Sequence, residues 1–472
     1  MNRRALSWIA VTALLCVAGD SSLRAADPFS VAISAANPPG AGITLHWNDA
    51  GPGLVYTVQT RPSLSDGIWL SRSDQRPWPV SQLEWTGPTG SADPAQFYRL
   101  LAVPAAERGK LLAVSHAATM TLSEIALLLG FAEIPVTPEY EVEIFRLLYE
   151  TVDPWGGRTQ ASGAMVLPAG VDRPLPLISY QHGTLILTNE APSSINEQIL
   201  PGVGFASIGY AVALPDLLGL GDSPGLHPYH HARSEATAAV DSLRGVRTWC
   251  ASNGVTLNGQ VFLIGYSHGG HATLSLQREL ELYHADEFVV TASAPMAGAY
   301  DLSGVTADDL LSGRLMPNPY YLLYLLAAYQ EVYRLTNTLS EFLAPPYDVT
   351  LPPLMNGATP SGVVNNAMPA DARLVLKPDV LAAFQTQPQH PLRVALRDND
   401  LYEWTPAAPT RLYHCRSDRD VIITNSEVAY ASFHSRGATH VQLIDPDPAA
   451  DHGGCVVPAF LLAKDWFESL RD

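Results

Sequence analysis

An apolar run, Val261-Phe262-Leu263-Ile264, leads directly into Gly265-Tyr266-Ser267-His268-Gly269, and a helix-compatible stretch, Ala272–Arg278, follows at once. Strand, Gly-x-Ser-x-Gly, helix is the layout of a sharp turn that thrusts a serine Oγ clear of the backbone. The two glycines allow strand and helix to approach without Cβ clashes. A five-residue pattern alone is weak, and a plain Gly/Ser turn is the alternative. The flanking strand and helix signals favour Ser267 as a nucleophile.

The chain has 472 residues, which suggests two or three structural units. Hydrophobic residues make up 47% and charged residues 16%, a balance suited to a large core and unlike a disordered chain. A formal net charge of −18 argues against a nucleic-acid partner, because nothing basic is present to neutralise phosphates. Residues 1–25 read as a secretory signal: Arg3 and Arg4, then the apolar run Leu6–Ala18, then Leu23-Arg24-Ala25 at the cleavage point. Cys16 is not expected to be a lipoprotein site, since Leu15 before it is not small. The expected location is therefore secreted or periplasmic.

Residues 27–103 carry short alternating segments, such as Ile43–Trp47, Val55–Gln59 and Gln96–Val103, separated by Pro/Gly-rich turns. That spacing predicts a small all-β sandwich. Leu45-His46-Trp47, Tyr56–Thr60 and Phe97–Leu100 resemble fibronectin-III-like modules appended to secreted bacterial enzymes. A spacer or adhesion role is the default, and polymer binding the sharper one. Trp47, Trp69, Trp78 and Trp85 are expected in its core. Residues 104–110 read as a linker. From 111 to 472, strand-like segments alternate with helical ones, including a helix over Glu235–Ser252, which predicts an α/β fold with a mostly parallel sheet.

A serine hydroxyl needs a base and an orienting acid, and on this kind of elbow they follow in the order Ser, Asp/Glu, His. The strand Thr410–His414 leads into Arg416-Ser417-Asp418-Arg419-Asp420-Val421, where a carboxylate is expected. Asp418, Asp420 and the earlier Asp301 are the candidates. His452, in the Gly-flanked loop Asp451-His452-Gly453-Gly454 after the last strand, is the candidate base, ahead of His434 and His440. Cys415 and Cys455 flank these loops and form the candidate disulfide, with buried free thiols the alternative and Cys250 left over.

Ser179–Thr184, Pro215–Ser223, His227-Pro228-Tyr229, Gly265–His271, Ser417–Val421 and Asp451–Cys455 together resemble the secretory lipase group, which includes the Candida lipase A type and bacterial relatives. The resemblance covers roughly residues 135–472 and implies an α/β-hydrolase fold. It implies Asp418, three residues before Val421, as the acid. It also implies that the long segment of about 301–406 is a helical cap, whose Tyr/Leu-rich run Tyr320–Tyr329 suggests an apolar acyl pocket.

The oxyanion donors are expected to be the backbone N–H groups of His268 and of Thr184 in Gln181-His182-Gly183-Thr184, with His182 holding that loop. Pro215–Ser223 is Gly-rich but lacks a following Lys-Ser/Thr, so it reads as a structural turn. His227, His230 and His231 read as pocket wall or surface in preference to a metal site. No metal and no cofactor are expected. The expected activity is hydrolysis of apolar carboxylic esters, small, lipid-like or polymeric, through Ser267, His452 and Asp418, with contact to a lipid interface. A peptidase, an acyltransferase or an inactive binding protein are the alternatives. The natural ester and the oligomeric state are left open.

Overall fold

The sheet that organises the molecule is built from strands with two apolar faces. In Leu257–Tyr266, Val261 and Leu263 join one buried cluster while Phe262, Ile264 and Tyr266 join another, so the strand is covered on both sides. The computed structural model describes residues 10–11, 16–17, 30–35, 42–65, 67–72, 74–75, 77–87 and 97–472. Most of the expected leader, residues 1–25, lies outside the described residues. Of it, Ala10–Val11 and Cys16–Val17 pair in parallel with Phe97–Pro104.

The nine strands are β1 (Leu111–Met120), β2 (Val142–Val152), β3 (Arg158–Pro168), β4 (Leu175–Gln181), β5 (Ala211–Pro215), β6 (Leu257–Tyr266), β7 (Val290–Met296), β8 (Arg411–Tyr413) and β9 (Gln442–Ile444). They lie in the order β9-β8-β7-β6-β4-β5-β3-β2-β1. The β1–β2, β2–β3 and β3–β5 pairs are antiparallel and the others parallel. This is a mixed sheet with its parallel part around β6, and the fold is an α/β-hydrolase. Strand β1 was not expected. It is an edge strand whose side chains are mostly exposed, so it lacks the apolar alternation that marks a half-buried strand.

Helices α1 (Ala232–Ser252) and α2 (His268–Tyr283) cover one face, packing Ala239, Leu243 and Leu276 on Leu177, Ala213 and Leu263. On the other face, α4 (Val456–Glu468) packs Ala459, Ala463 and Phe467 on Phe262 and Ile264. Between β7 and β8 the chain makes a helical insertion. Its central helix, α3 (Tyr320–Tyr333), forms a core with Leu302, Leu343, Phe384 and Leu396. This core is separate from the two sheet clusters, which is why so long a segment stays ordered.

Residues before β1 form small sheets around Leu45, Trp47, Tyr56, Val58, Trp85 and Tyr98. Trp47, Trp78 and Trp85 are buried, while Trp69 is half-buried beneath the Arg61 guanidinium. This part rests on α1: Arg233 lies 4.5 Å over Trp78 and donates to Arg72 O, and Arg108 pairs with Asp241 at 2.6 Å.

Candidate active site

Strand β6 ends at Tyr266, and Ser267 turns the chain into α2 with φ 62° and ψ −123°. For a residue with a Cβ this backbone is strained, and the surroundings must impose it. Gly265 and Gly269 show how. A Cβ on Gly265 would lie 2.5 Å from Gly269 O and 2.6 Å from Gln181 O, and one on Gly269 would collide with Gln181 O. Strand β4 and the first turn of α2 therefore close on the elbow, and Ser267 N donates to Met296 O at 2.9 Å from the other side. The serine side chain is left partly open, facing a cavity.

The candidate acid and base come from loops after β8 and β9. His452 Nε2 lies 2.9 Å from Ser267 Oγ, and His452 Nδ1 lies 2.6 Å from Asp418 Oδ2. The other carboxylate oxygen of Asp418 accepts from the backbone N–H groups of Asp420 and Val421 at 2.9 and 3.0 Å. Burial works to raise the Asp418 pKa. Hydrogen bonds from His414 and His452, with the charge of both rings, outweigh it and hold this carboxyl well below the ordinary range. An ionised Asp418 accepts only, so Nδ1 of His452 must carry the proton and Nε2 is free to accept from Ser267. The competing acids are engaged elsewhere: Asp301 accepts from Gly304 N, and Asp420 from Asn318 Nδ2. His434 Nε2 faces Val441 O. A Cys415–Cys455 disulfide, with Cα atoms 5.9 Å apart, ties the two loops together, and Cys250 is free and buried.

Similarities to known proteins bear on this arrangement. The family model described as secretory lipase matches residues 198–300. A point mutant of the rice cell wall degrading esterase LipA from Xanthomonas oryzae is 31% identical, over 76% of this chain and 96% of that one, with a TM-score of 0.68. The chain belongs to the secretory lipase family. It is a carboxylic-ester hydrolase. A protein of solved structure from Legionella pneumophila is 27% identical over 76% of this chain and 98% of that one, with a TM-score of 0.71. Candida antarctica lipase A, 16% identical over 77% and 83% with a TM-score of 0.58, shares the fold. No curated protein matches the chain.

In this secretory lipase the loop after β4 is held by hydrogen bonds. Thr184 Oγ1 meets Tyr229 OH at 3.0 Å, and the Tyr229 ring stacks on Tyr324 of the cap at 4.6 Å. Tyr324 OH donates to Leu185 O, and Tyr329 OH to His230 O. His182 is buried, and its ring nitrogens face Gly183 O and Asp216 O at 2.7 and 2.9 Å; burial lowers its pKa to about 4. His268 is the first residue of α2, where a backbone N–H has no intrahelical acceptor. The Pro215–Ser223 turn is locked through Asp216, which accepts from Ser162 Oγ and Ser193 N.

Sequence reasoning missed the group beneath α2. Glu235, buried on α1, accepts from His268 Nε2 at 2.8 Å and faces His271 Nδ1 at 2.7 Å. Burial works to raise Glu235, yet the charges of His271 and His268 and hydrogen bonds from both hold it well below the carboxylate range. His268 and His271 stand three apart, one helical turn on one face, which was the available signal. His230, Glu235 and His271 place one potential metal-ligand atom each within 4.8 Å of one another. Both carboxylate oxygens are already taken up by His268 and His271; His230 meets those two rings edge-on and its buried Nδ1 has no hydrogen-bond partner. His227, His230 and His231 are all buried, so none is a surface group, and His230 lines the cavity at Ser267.

Tyr324 and Tyr329 tie the cap to the loops below, while Tyr321 and Leu325 line the cavity at Ser267. The space between Tyr321, Leu325 and Ser267 is a cavity of about 40 Å³.

Proposed function

We propose that this ester hydrolase works through Ser267, His452 and Asp418 by an acyl-enzyme route. The observation that carries the reading is the unbroken line from Ser267 Oγ through both nitrogens of His452 to Asp418. Ser267 attacks the ester carbonyl carbon while His452 Nε2 takes its proton. The tetrahedral oxyanion is held by the N–H groups of His268 and Thr184. His452 returns the proton to the departing alkoxide, and Asp418 stabilises the imidazolium without being protonated. Water, deprotonated by His452, then attacks the acyl-enzyme and releases the acid. The positive end of α2 favours the anion formed beside His268.

The domain division belongs to the same reading: a signal at 1–25, a β-sandwich at 27–103, a linker at 104–110 and a catalytic domain at 111–472 with its cap. So does export to the periplasm or beyond, which the basic-then-apolar leader and the Cys415–Cys455 disulfide support. Among the described residues no helix is long and apolar enough to cross a membrane.

Replacing Ser267 by Ala tests the mechanism. Hydrolysis of p-nitrophenyl acetate and labelling by a fluorophosphonate should both disappear while the circular dichroism spectrum is kept. Retained turnover in Ser267→Ala would sink the proposal.

A further inference from the structure

Three buried side chains converge beneath the first turn of α2, outside the line from Ser267 to Asp418. His230 stands in the loop leading into α1, Glu235 in the first turn of α1 and His271 in the first turn of α2. One potential ligand atom from each lies within 4.8 Å of the other two. Two imidazoles and one carboxylate are a donor set that zinc takes.

The surroundings of these donors are those of metal ligands. A ligating histidine gives its other ring N–H to a carbonyl or carboxylate, and a ligating carboxylate is itself hydrogen-bonded. His271 turns Nδ1 to Glu235 Oε2 at 2.7 Å and Nε2 to Asn399 O at 3.2 Å. Glu235 accepts from His268 Nε2 at Oε1, which leaves Oε2 on the side of His271. His230 Nδ1 is buried with no hydrogen-bond partner, a desolvation cost that coordination would remove. The backbone of His230 is fixed in the left-handed region, φ 56°, and its carbonyl accepts from Tyr329 OH at 3.0 Å. Bonds of about 2.0–2.1 Å to a tetrahedral zinc place ligand atoms about 3.3 Å apart. The Glu235–His271 contact must open by about 0.6 Å to reach this, and His230 must close by at most about 1.5 Å.

We propose that His230, Glu235 and His271 form a zinc site. The ion replaces the Nδ1 proton of His271, which leaves to solvent, while the bonds to His268 and Asn399 O are kept. Three protein ligands leave the fourth position to a water, so the ion is exchangeable. It would join the loop before α1 to both helices. His268 bonds to one ligand and Tyr229, the partner of Thr184 Oγ1, precedes another, so the ion braces both proposed carriers of the oxyanion donors. The inference does not depend on Ser267 as nucleophile.

Protein stripped with EDTA and dialysed should take up a single equivalent of Zn²⁺ from zinc sulfate. At about a hundredfold excess over Kd its melting temperature should rise by a few degrees. Co²⁺ in place of zinc should give the intense visible absorption of a four-coordinate ion. His230→Phe keeps a ring in place and removes both nitrogens. It should weaken zinc binding at least tenfold, the scale on which lost support already acts at metal sites, and should erase the cobalt absorption. Zinc uptake by His230→Phe at the parent's affinity overturns the site, and so does failure of the stripped parent to take up zinc. Should His230→Phe not fold, anomalous diffraction at the zinc edge from parent crystals soaked in zinc chloride decides. A peak among His230, Glu235 and His271 supports the inference. Peaks only at exposed pairs such as His46–Glu84 overturn it.

Discussion

On one side of Ser267 the loops bearing Asp418 and His452 are joined by the Cys415–Cys455 disulfide, three residues from each of these side chains. On the other side the loop bearing Thr184 is held by Tyr229, Tyr324 and His182 through hydrogen bonds and ring stacking. Both sides must hold a loop to within about 0.5 Å of its productive geometry. The disulfide acts mainly by restricting the unfolded chain, so it is insensitive to the burial of its surroundings. The polar network depends on burial, because water would compete for every one of its partners.

The largest effect is expected where the covalently tied side meets chemistry. In Asp418→Asn the amide oxygen can still accept from Asp420 N and Val421 N, which turns the NH₂ toward His452. The imidazole must then accept at Nδ1 and carry its proton on Nε2, where it cannot receive one from Ser267. A loss of about 10⁴-fold in kcat follows, by analogy with serine-protease acid-to-amide changes, and steady-state assay of p-nitrophenyl acetate would reveal it. Removing the tie itself, in Cys415→Ser/Cys455→Ser, should cost about 4 kcal/mol of stability for the 40-residue separation. Urea unfolding monitored by fluorescence measures this. If the double variant were as stable as the parent, the covalent side would have no advantage over the hydrogen-bonded one.

On the polar side Glu235→Gln should lose about 2 kcal/mol at pH 7, the scale of a hydrogen bond to a charged group. Its pH dependence sharpens the contrast. The folded pKa of Glu235 is depressed, so its stabilisation is complete above the unfolded value of about 4.3 and is lost as pH falls through the folded value. Melting temperatures taken from pH 7 down to pH 3 should fall less steeply in Glu235→Gln than in the parent. Equal slopes would remove Glu235 from the account. The smallest change is Tyr324→Phe, which deletes one strut to Leu185 O. It should cost about 1 kcal/mol and lower kcat with KM nearly unchanged, because the loop positions the oxyanion more than the ground state.

The parallel strands were legible because they are buried on both faces and carry unbroken apolar runs; Ala211–Pro215 has the bounds that its sequence suggests. The elbow was legible because its glycines answer to steric contacts between neighbouring backbones. Strand β1 was not, since its partner β2 defines it and its own side chains are mostly in solvent. Glu235 escaped notice because a lone acid in a helix's first turn reads as a cap or a surface group; only the fold brings it beneath His268 and His271. The apolar run of α3 is legible from composition, and Tyr321 and Leu325 of it line the cavity at Ser267. The bonds of the Tyr324 and Tyr329 hydroxyls are not legible, because only the fold supplies their backbone acceptors in the loops below.

The steric closure around Gly265 and Gly269 separates two histories that the elbow carries. Any side chain at either position would run into carbonyl oxygens of the neighbouring segments, whether or not a reaction is being catalysed. Ser267 is under no such constraint of space, since its side chain opens into a cavity. Drift in a lineage that stopped hydrolysing esters would therefore erase the serine first and leave the glycines standing. A homologue with both glycines and another residue between them should be read as a retired enzyme on an intact scaffold.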